Sequence, residues 1–149
     1  MENQTKTMND PFNLERFVTA QEESYESALS ELKLGEKRSH WMWYIFPQID
    51  GLGSSFMANK YAIKSLAEAQ AYLSHPTLGT RLRECTTTVL AIEERSALEI
   101  FSSPDNKKLK SSMTLFAQIS EPDSIFERVL NKFFEGDCDP QTLNLLKAH

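Results

Sequence analysis

Three observations predict an all-α fold. Apolar residues recur at three- and four-residue steps along most of the chain, helix-capping residues precede those stripes, and no stretch alternates apolar with polar residues between hairpin turns. The first stripe is Leu14, Phe17, Val18, Tyr25, Ala28, Leu29 and Leu32, with Asn13 as the expected N-cap and Gly35 as the stop. A helix from Leu14 to Leu34 would be about 30 Å long at 1.5 Å per residue. Trp41 to Phe46 is read as a short buried helix, because Ser39 can cap it and Pro47 can end it. Gly51 and Gly53 then break the chain, and Ser54 or Ser55 caps a helix carrying Phe56, Met57 and Tyr61.

The middle helices start at two capping-box patterns, Ser65-Leu66-Ala67-Glu68 and Ser96-Ala97-Leu98-Glu99. Between them Leu78, Leu82, Cys85, Val89 and Ile92 form the buried stripe of a longer helix that begins after His75-Pro76. Ser103-Pro104-Asp105 places Ser as cap and Pro at the first helical position of a helix that turns Leu109, Met113 and Phe116 inward. Glu121-Pro122-Asp123 opens one holding Ile125, Val129, Leu130 and Phe133, which Gly136 ends, and Asp139-Pro140 starts a last one through Leu143 and Leu146. The expected architecture is a single all-α domain over residues 10–147, of about seven or eight helices, with residues 1–9 as a flexible tail. Leu14, Phe17, Leu82, Val89, Met113, Phe116, Val129 and Phe133 are its expected core.

Composition bounds the function. The chain has 149 residues, 40% of them hydrophobic, enough for one domain with its own core. A net charge of −5 argues against a broad nucleic-acid or anionic-lipid footprint. The polar start lacks the apolar core of a secretory signal and no run reaches the ~18 apolar residues of a membrane span, so a cytoplasmic location is expected. Two distant cysteines make no disulfide framework; Cys85 reads as a buried small hydrophobe and Cys138 as an exposed thiol. The three histidines are scattered, and neither they nor the cysteines have metal-ligand spacing, so no metal or other cofactor is expected. Gly51-Leu52-Gly53 follows no strand, and Phe56 stands where a dinucleotide fingerprint needs glycine. Ser39 and His40 are sequence neighbours whose side chains diverge, which excludes a simple serine-hydrolase pair.

Two polar-aromatic stretches remain as candidate surfaces. Lys37-Arg38-Ser39-His40-Trp41-Met42-Trp43-Tyr44-Ile45-Phe46-Pro47-Gln48 holds both tryptophans among cations, hydroxyls and a histidine. Lys37 and Ser39 offer donors, Trp41 and Trp43 planar faces, Gln48 an amide, and Ser55 a hydroxyl at a helix start. The second stretch sets Asp105, Lys108 and Ser112 on one helical face, with Ser111 and Thr114 on neighbouring rows. His40, Glu68 and Asp105 are the groups available for acid–base work. The bland reading of the same residues is core tryptophans, ordinary caps and a solvated helix face.

The segments Lys37 to Ser55, Tyr61-Ala62-Ile63, Ser65-Leu66-Ala67-Glu68-Ala69, Tyr72-Leu73-Ser74-His75-Pro76, Leu78-Gly79-Thr80-Arg81-Leu82-Arg83-Glu84-Cys85 and Lys108 to Phe116 together resemble the domain-of-unknown-function family eighteen-ten. The resemblance runs from Asp10 to about Leu146 and implies an all-α cytoplasmic domain with no established activity. Members often carry the label calpastatin, which properly belongs to a disordered inhibitor; the apolar periodicity here is that of a folded globule. Two functions fit. One is binding or processing of a small anionic planar ligand, a nucleotide or ADP-ribose-like compound, by the Trp/His/Lys/Ser surface; the other is a non-catalytic protein-interaction module.

Overall fold

The computed structural model describes residues 10–148; the tail expected over residues 1–9 and His149 lie outside the described residues. Among the described residues there are nine α-helices and no strand, arranged as one all-α domain. Helix α1 spans Glu15–Leu34. Its start is capped by Asp10, whose carboxylate accepts the Leu14 and Glu15 N–H groups at 2.6 and 3.0 Å. Asn13, the expected cap, instead has a positive φ of 53° and carries the chain around to Leu14. Gly35 ends α1 at φ 77°, with its N–H on the Leu32 carbonyl and the Glu36 N–H on the Glu31 carbonyl. That crossed pair requires a left-handed residue, which glycine adopts without strain.

Helix α2 is the four-residue turn Met42–Ile45, as short and as buried as its aromatic run predicts. Ser39 does not cap it; its hydroxyl donates to Glu31 instead. Helix α3, Phe56–Lys60, is capped by Ser55, whose Oγ accepts the Ala58 N–H. Around it Ile49 and Ile63 make a single parallel bridge, with the Ile63 N–H on Gln48 O and the Asp50 N–H on Ile63 O, both at 2.8 Å.

Helix α4 runs Leu66–Ser74 and α5 Leu78–Leu90. Ser65 caps α4, but Glu68 returns its bond to the Lys64 N–H, so the expected reciprocal box is displaced by one residue. At the start of α5, His75 Nδ1 accepts from the Thr77 and Leu78 N–H groups. Helix α6, Ala97–Phe101, has the complete box of Ser96 and Glu99. Helix α7 runs Asp105–Gln118 without a side-chain cap. The carbonyls of Ser102 and Pro104 already take its first N–H groups, so Ser103 has no capping role. Helix α8, Ile125–Phe133, starts at Ser124 rather than at Glu121-Pro122-Asp123, because Ser124 Oγ accepts the Glu127 N–H while Glu127 accepts from Asp123. Helix α9 is Pro140–Ala148.

Helix α7 sits at the centre, buried from Ser111 through Phe116 and packed against α4, α6, α8 and α9. A helix covered on nearly every side must satisfy its polar side chains within the protein. Helix α5 packs on α1, α4 and α8. The expected core residues are buried except Phe133, which is half-buried at the end of α8. Cys85 is buried, whereas Cys138 is half-buried against the core rather than exposed. The neighbouring Asp139 N–H reaches Thr114 Oγ1 and draws that stretch back onto α7. Inside, Gln21 Nε2 donates to the Tyr44 carbonyl and the Tyr72 hydroxyl, at 2.7 and 3.0 Å, and so joins α1, α2 and α4.

Candidate functional site

The Lys37–Gln48 stretch and the first turn of α7 meet at Asp105. Lys37 leaves the Gly35 turn with its N–H on the Ile100 carbonyl of α6, and its side chain reaches the first turn of α7. Its ammonium lies 2.9 Å from Asp105 Oδ2, also donates to Ser39 O, and stands 4.9 Å from the Trp41 ring centroid. Only 7% of the Lys37 side chain is exposed. Lys108, one turn along α7, lies 3.6 Å from the other oxygen of Asp105 and 5.4 Å above the Trp43 ring. Two ammonium groups therefore share one carboxylate, leaving a local excess of one positive charge beside a half-buried indole. Desolvated cation–π contacts of this kind are worth about 0.5–2 kcal/mol.

The Gly51–Gly53 turn reaches the same indole. Trp43, Gln48, Gly51, Leu52, Gly53 and Tyr61 line a cleft of about 20 Å³. That is room for roughly one water molecule and not for a nucleobase. A ligand at Trp43 would therefore lie on the exposed part of the ring rather than in a closed chamber. Larger hollows lie elsewhere, one of about 400 Å³ beside Leu32, Gly35, Ile92 and Arg95 and one of about 300 Å³ beside Arg16, Thr19 and Lys60. Neither is lined by any of the candidate site residues named from the sequence.

The other sequence candidates divide by what they touch. Trp41 is buried, 1% exposed, and its indole N–H donates to Glu31 Oε1 at 2.9 Å, so it has no free face for a ligand. Ser39 gives its N–H and its hydroxyl to the same carboxylate. His40 is exposed, and its carbonyl accepts from the Tyr44 hydroxyl at 3.4 Å. Gln48 is half-buried, with its backbone in the Ile63 bridge. Ser55 is an exposed helix cap. Ser111 Oγ donates to Asp139 Oδ2, and Thr114 Oγ1 donates to Lys110 O and accepts the Asp139 N–H. Asp139 also accepts from the Thr142 N–H and hydroxyl, so these residues dock α9 on α7. Ser112 is fully buried and its Oγ has no partner. Glu68 belongs to a separate cluster, 2.8 Å from Arg16 and 2% exposed.

Two organising residues escaped sequence reading. Glu31 accepts from the Arg38 N–H at 2.7 Å, the Ser39 N–H at 3.0 Å, the Ser39 hydroxyl and the Trp41 indole. Burial pushes its carboxyl up, but the Ser39 hydroxyl, the Arg38 N–H, the indole and the Ser39 N–H together outweigh this and hold it below the ordinary glutamate value. Arg16 places its guanidinium on the carbonyls of Lys60, Phe12, Asn13 and Ala62 and on Glu68. On the sequence both are charges on the polar side of a helix, like Glu22 or Glu26. Their partners come from outside the helix: the following turn for Glu31, and for Arg16 the preceding loop together with Lys60, Ala62 and Glu68, more than forty residues away.

Fold and surface define a small all-α domain in which the cluster of Lys37, Trp41, Trp43, Asp105 and Lys108 joins the loop after the first helix to the central helix. The chain belongs to the family described as Protein of unknown function (DUF1810), whose model matches residues 11–146. It is similar to the crystal structure of the conserved hypothetical protein Rv1873 from Mycobacterium tuberculosis, with 52% identity and a TM-score of 0.91 over 93% of this chain and 99% of that one. No curated protein matches the sequence. Among the described residues no helix is long and apolar enough to cross a membrane, and no three His, Cys, Asp or Glu side chains gather as a metal site.

Proposed function

We propose that the protein binds a small, planar, anionic ligand, of nucleotide or ADP-ribose-like type, on the surface formed by Trp43, Lys108 and Lys37. The observation that supports this is the sharing of Asp105 by two lysines, with the Lys108 ammonium standing over Trp43. A planar ring stacked on the exposed part of Trp43 would gain about 1–3 kcal/mol. Its anionic group would then meet Lys108, whose side chain is 28% exposed, while Lys37 contributes charge from behind. Ser39 and Trp41 support this surface from beneath through Lys37, whereas Ser111 and Thr114 are engaged with Asp139 in the contact between α7 and α9. His40, exposed on the same segment, would supply an imidazole to the bound anion.

The test is a thermal-shift screen against nucleotides, ADP-ribose compounds and sugar phosphates, followed by titrations with Trp43→Ala and Lys108→Ala. A ligand present at 100 times its Kd stabilises the fold by about 2.7 kcal/mol. Both variants should keep the fold and bind at least several-fold more weakly. If no anion stabilises the protein and Lys108→Ala leaves every titration unchanged, the surface is an ordinary salt-bridged face and the interaction-module reading replaces this one.

A further inference from the structure

We infer that the Arg38–Trp41 turn is a carboxylate-binding site and that Glu31 is its tethered occupant. Within four consecutive residues the chain presents the Arg38 and Ser39 N–H groups, the Ser39 hydroxyl and the Trp41 indole N–H to one carboxylate. Oε1 accepts three of these and Oε2 the fourth, which is the donor geometry that recognises a planar carboxylate. None of the donors is a first-turn N–H of α2, so the site owes nothing to a helix end.

The turn is held in place by contacts other than Glu31. The Lys37 N–H is fixed on Ile100 O, the Lys37 ammonium on Ser39 O and Asp105, and the Trp41 ring is buried in the core. A receptor braced from behind keeps its donors convergent when the occupant is removed. It also reaches solvent, since Arg38 is exposed and Glu31 and Ser39 are half-buried. The site would therefore take a small monocarboxylate from solution in place of the glutamate. In the intact protein Glu31 closes it to external anions. This inference stands independently of the reading of the Trp43 surface.

Replacing Glu31 by alanine removes a CH2–COO⁻ unit, which acetate restores almost atom for atom. The full chain carrying Glu31→Ala is titrated with sodium acetate against sodium chloride at equal ionic strength. The readouts are melting temperature and the Trp41 indole N–H resonance, assigned with Trp43→Phe. Acetate should move that resonance saturably towards its wild-type position and raise the melting temperature, with no effect on wild type. A folded Glu31→Ala whose indole resonance ignores acetate overturns the inference. If the variant does not fold in chloride, recovery of folding in acetate supports the inference and failure in both salts overturns it. In Glu31→Gln the amide fills the site, so an equal acetate response there would mark a general salt effect and also overturn it.

Discussion

The Glu31 carboxylate and the Trp41 indole are joined by a 2.9 Å hydrogen bond that ties the last turn of α1 to the loop ahead of α2. Glu31 also takes the Ser39 N–H, while the Ser39 carbonyl accepts the Lys37 ammonium. Lys37 in turn pairs with Asp105, and Asp105 with Lys108 over Trp43. A half-buried carboxylate at the end of the first helix is thereby connected, bond by bond, to the surface of the central helix.

Removing that carboxylate should be among the more damaging single changes in the loop. Glu31→Ala leaves a buried indole N–H and two backbone N–H groups without their acceptor, for an expected loss of about 2–3 kcal/mol. Urea unfolding of wild type and variant measures it. A loss under about 1 kcal/mol would show that water replaces the carboxylate at little cost.

The same carboxylate makes stability pH-dependent in a defined window. Its folded pKa lies below the ordinary 4.5, so the unfolded chain takes up the proton more readily. The contribution is fully present above the unfolded pKa and is lost as pH falls through the depressed folded value. The stability difference between wild type and Glu31→Gln should therefore shrink on acidification below about pH 5. Parallel unfolding curves at several pH values, with a constant difference between the two proteins, would contradict it.

The two tryptophans should behave as different kinds of residue. Trp41→Ala empties a fully buried site and should cost about 3–5 kcal/mol. Trp43→Ala removes a half-buried ring and should cost about 1–2 kcal/mol. Acrylamide quenching of single-tryptophan variants, made by Trp→Phe exchange, should find Trp43 accessible and Trp41 protected. Equal quenching of the two would contradict the placement.

Gly79, in the first turn of α5, lies against the backbone of the last turn of α4. A Cβ at this position would lie 2.0 Å from the Leu73 carbonyl oxygen, a backbone atom that cannot swing aside. Alanine's helix propensity would contribute about 1 kcal/mol in its favour. The clash should still make Gly79→Ala net destabilising, by at least about 1–3 kcal/mol. Thermal unfolding checks it, and a neutral or stabilised variant would show that the two helices can separate freely.

Arg16 is the counterpart at the other end of the first helix. Arg16→Met keeps much of the side-chain volume but strands Glu68, which is 2% exposed, and should cost about 3–5 kcal/mol. Adding Glu68→Gln should recover part of that loss, because the stranded charge is then gone. A double variant no more stable than the single one would assign the loss to the four carbonyls that Arg16 also binds.

Much of this protein is written in short-range pattern. The apolar stripes of Phe17 to Leu32, Leu78 to Val89 and Leu109 to Phe116 set the helices, because three- and four-residue spacing puts those side chains on one face. Gly35, Ser55, Ser65 and Ser96 stop or start elements through bonds that span only a few residues. The Lys37–Gln48 stretch and the helix carrying Asp105 and Lys108 stand out in the sequence by their shared polar-aromatic character, but the ion pairs and ring contacts that join them do not. Which polar groups remain free depends on partners far away in the chain. Glu31 claims Ser39 and Trp41, Asp139 claims Ser111 and Thr114, and Arg16 claims Glu68. Caps even moved where a neighbouring carbonyl or carboxylate reached the helix N–H groups first, as at Asn13 and Ser103. The sequence by itself determined the helices and the buried faces, since those follow from local periodicity and the hydrophobic effect. Only the tertiary structure decided which donors and charges satisfy one another, because a buried polar group takes whichever partner the packing of distant segments brings within about 3 Å.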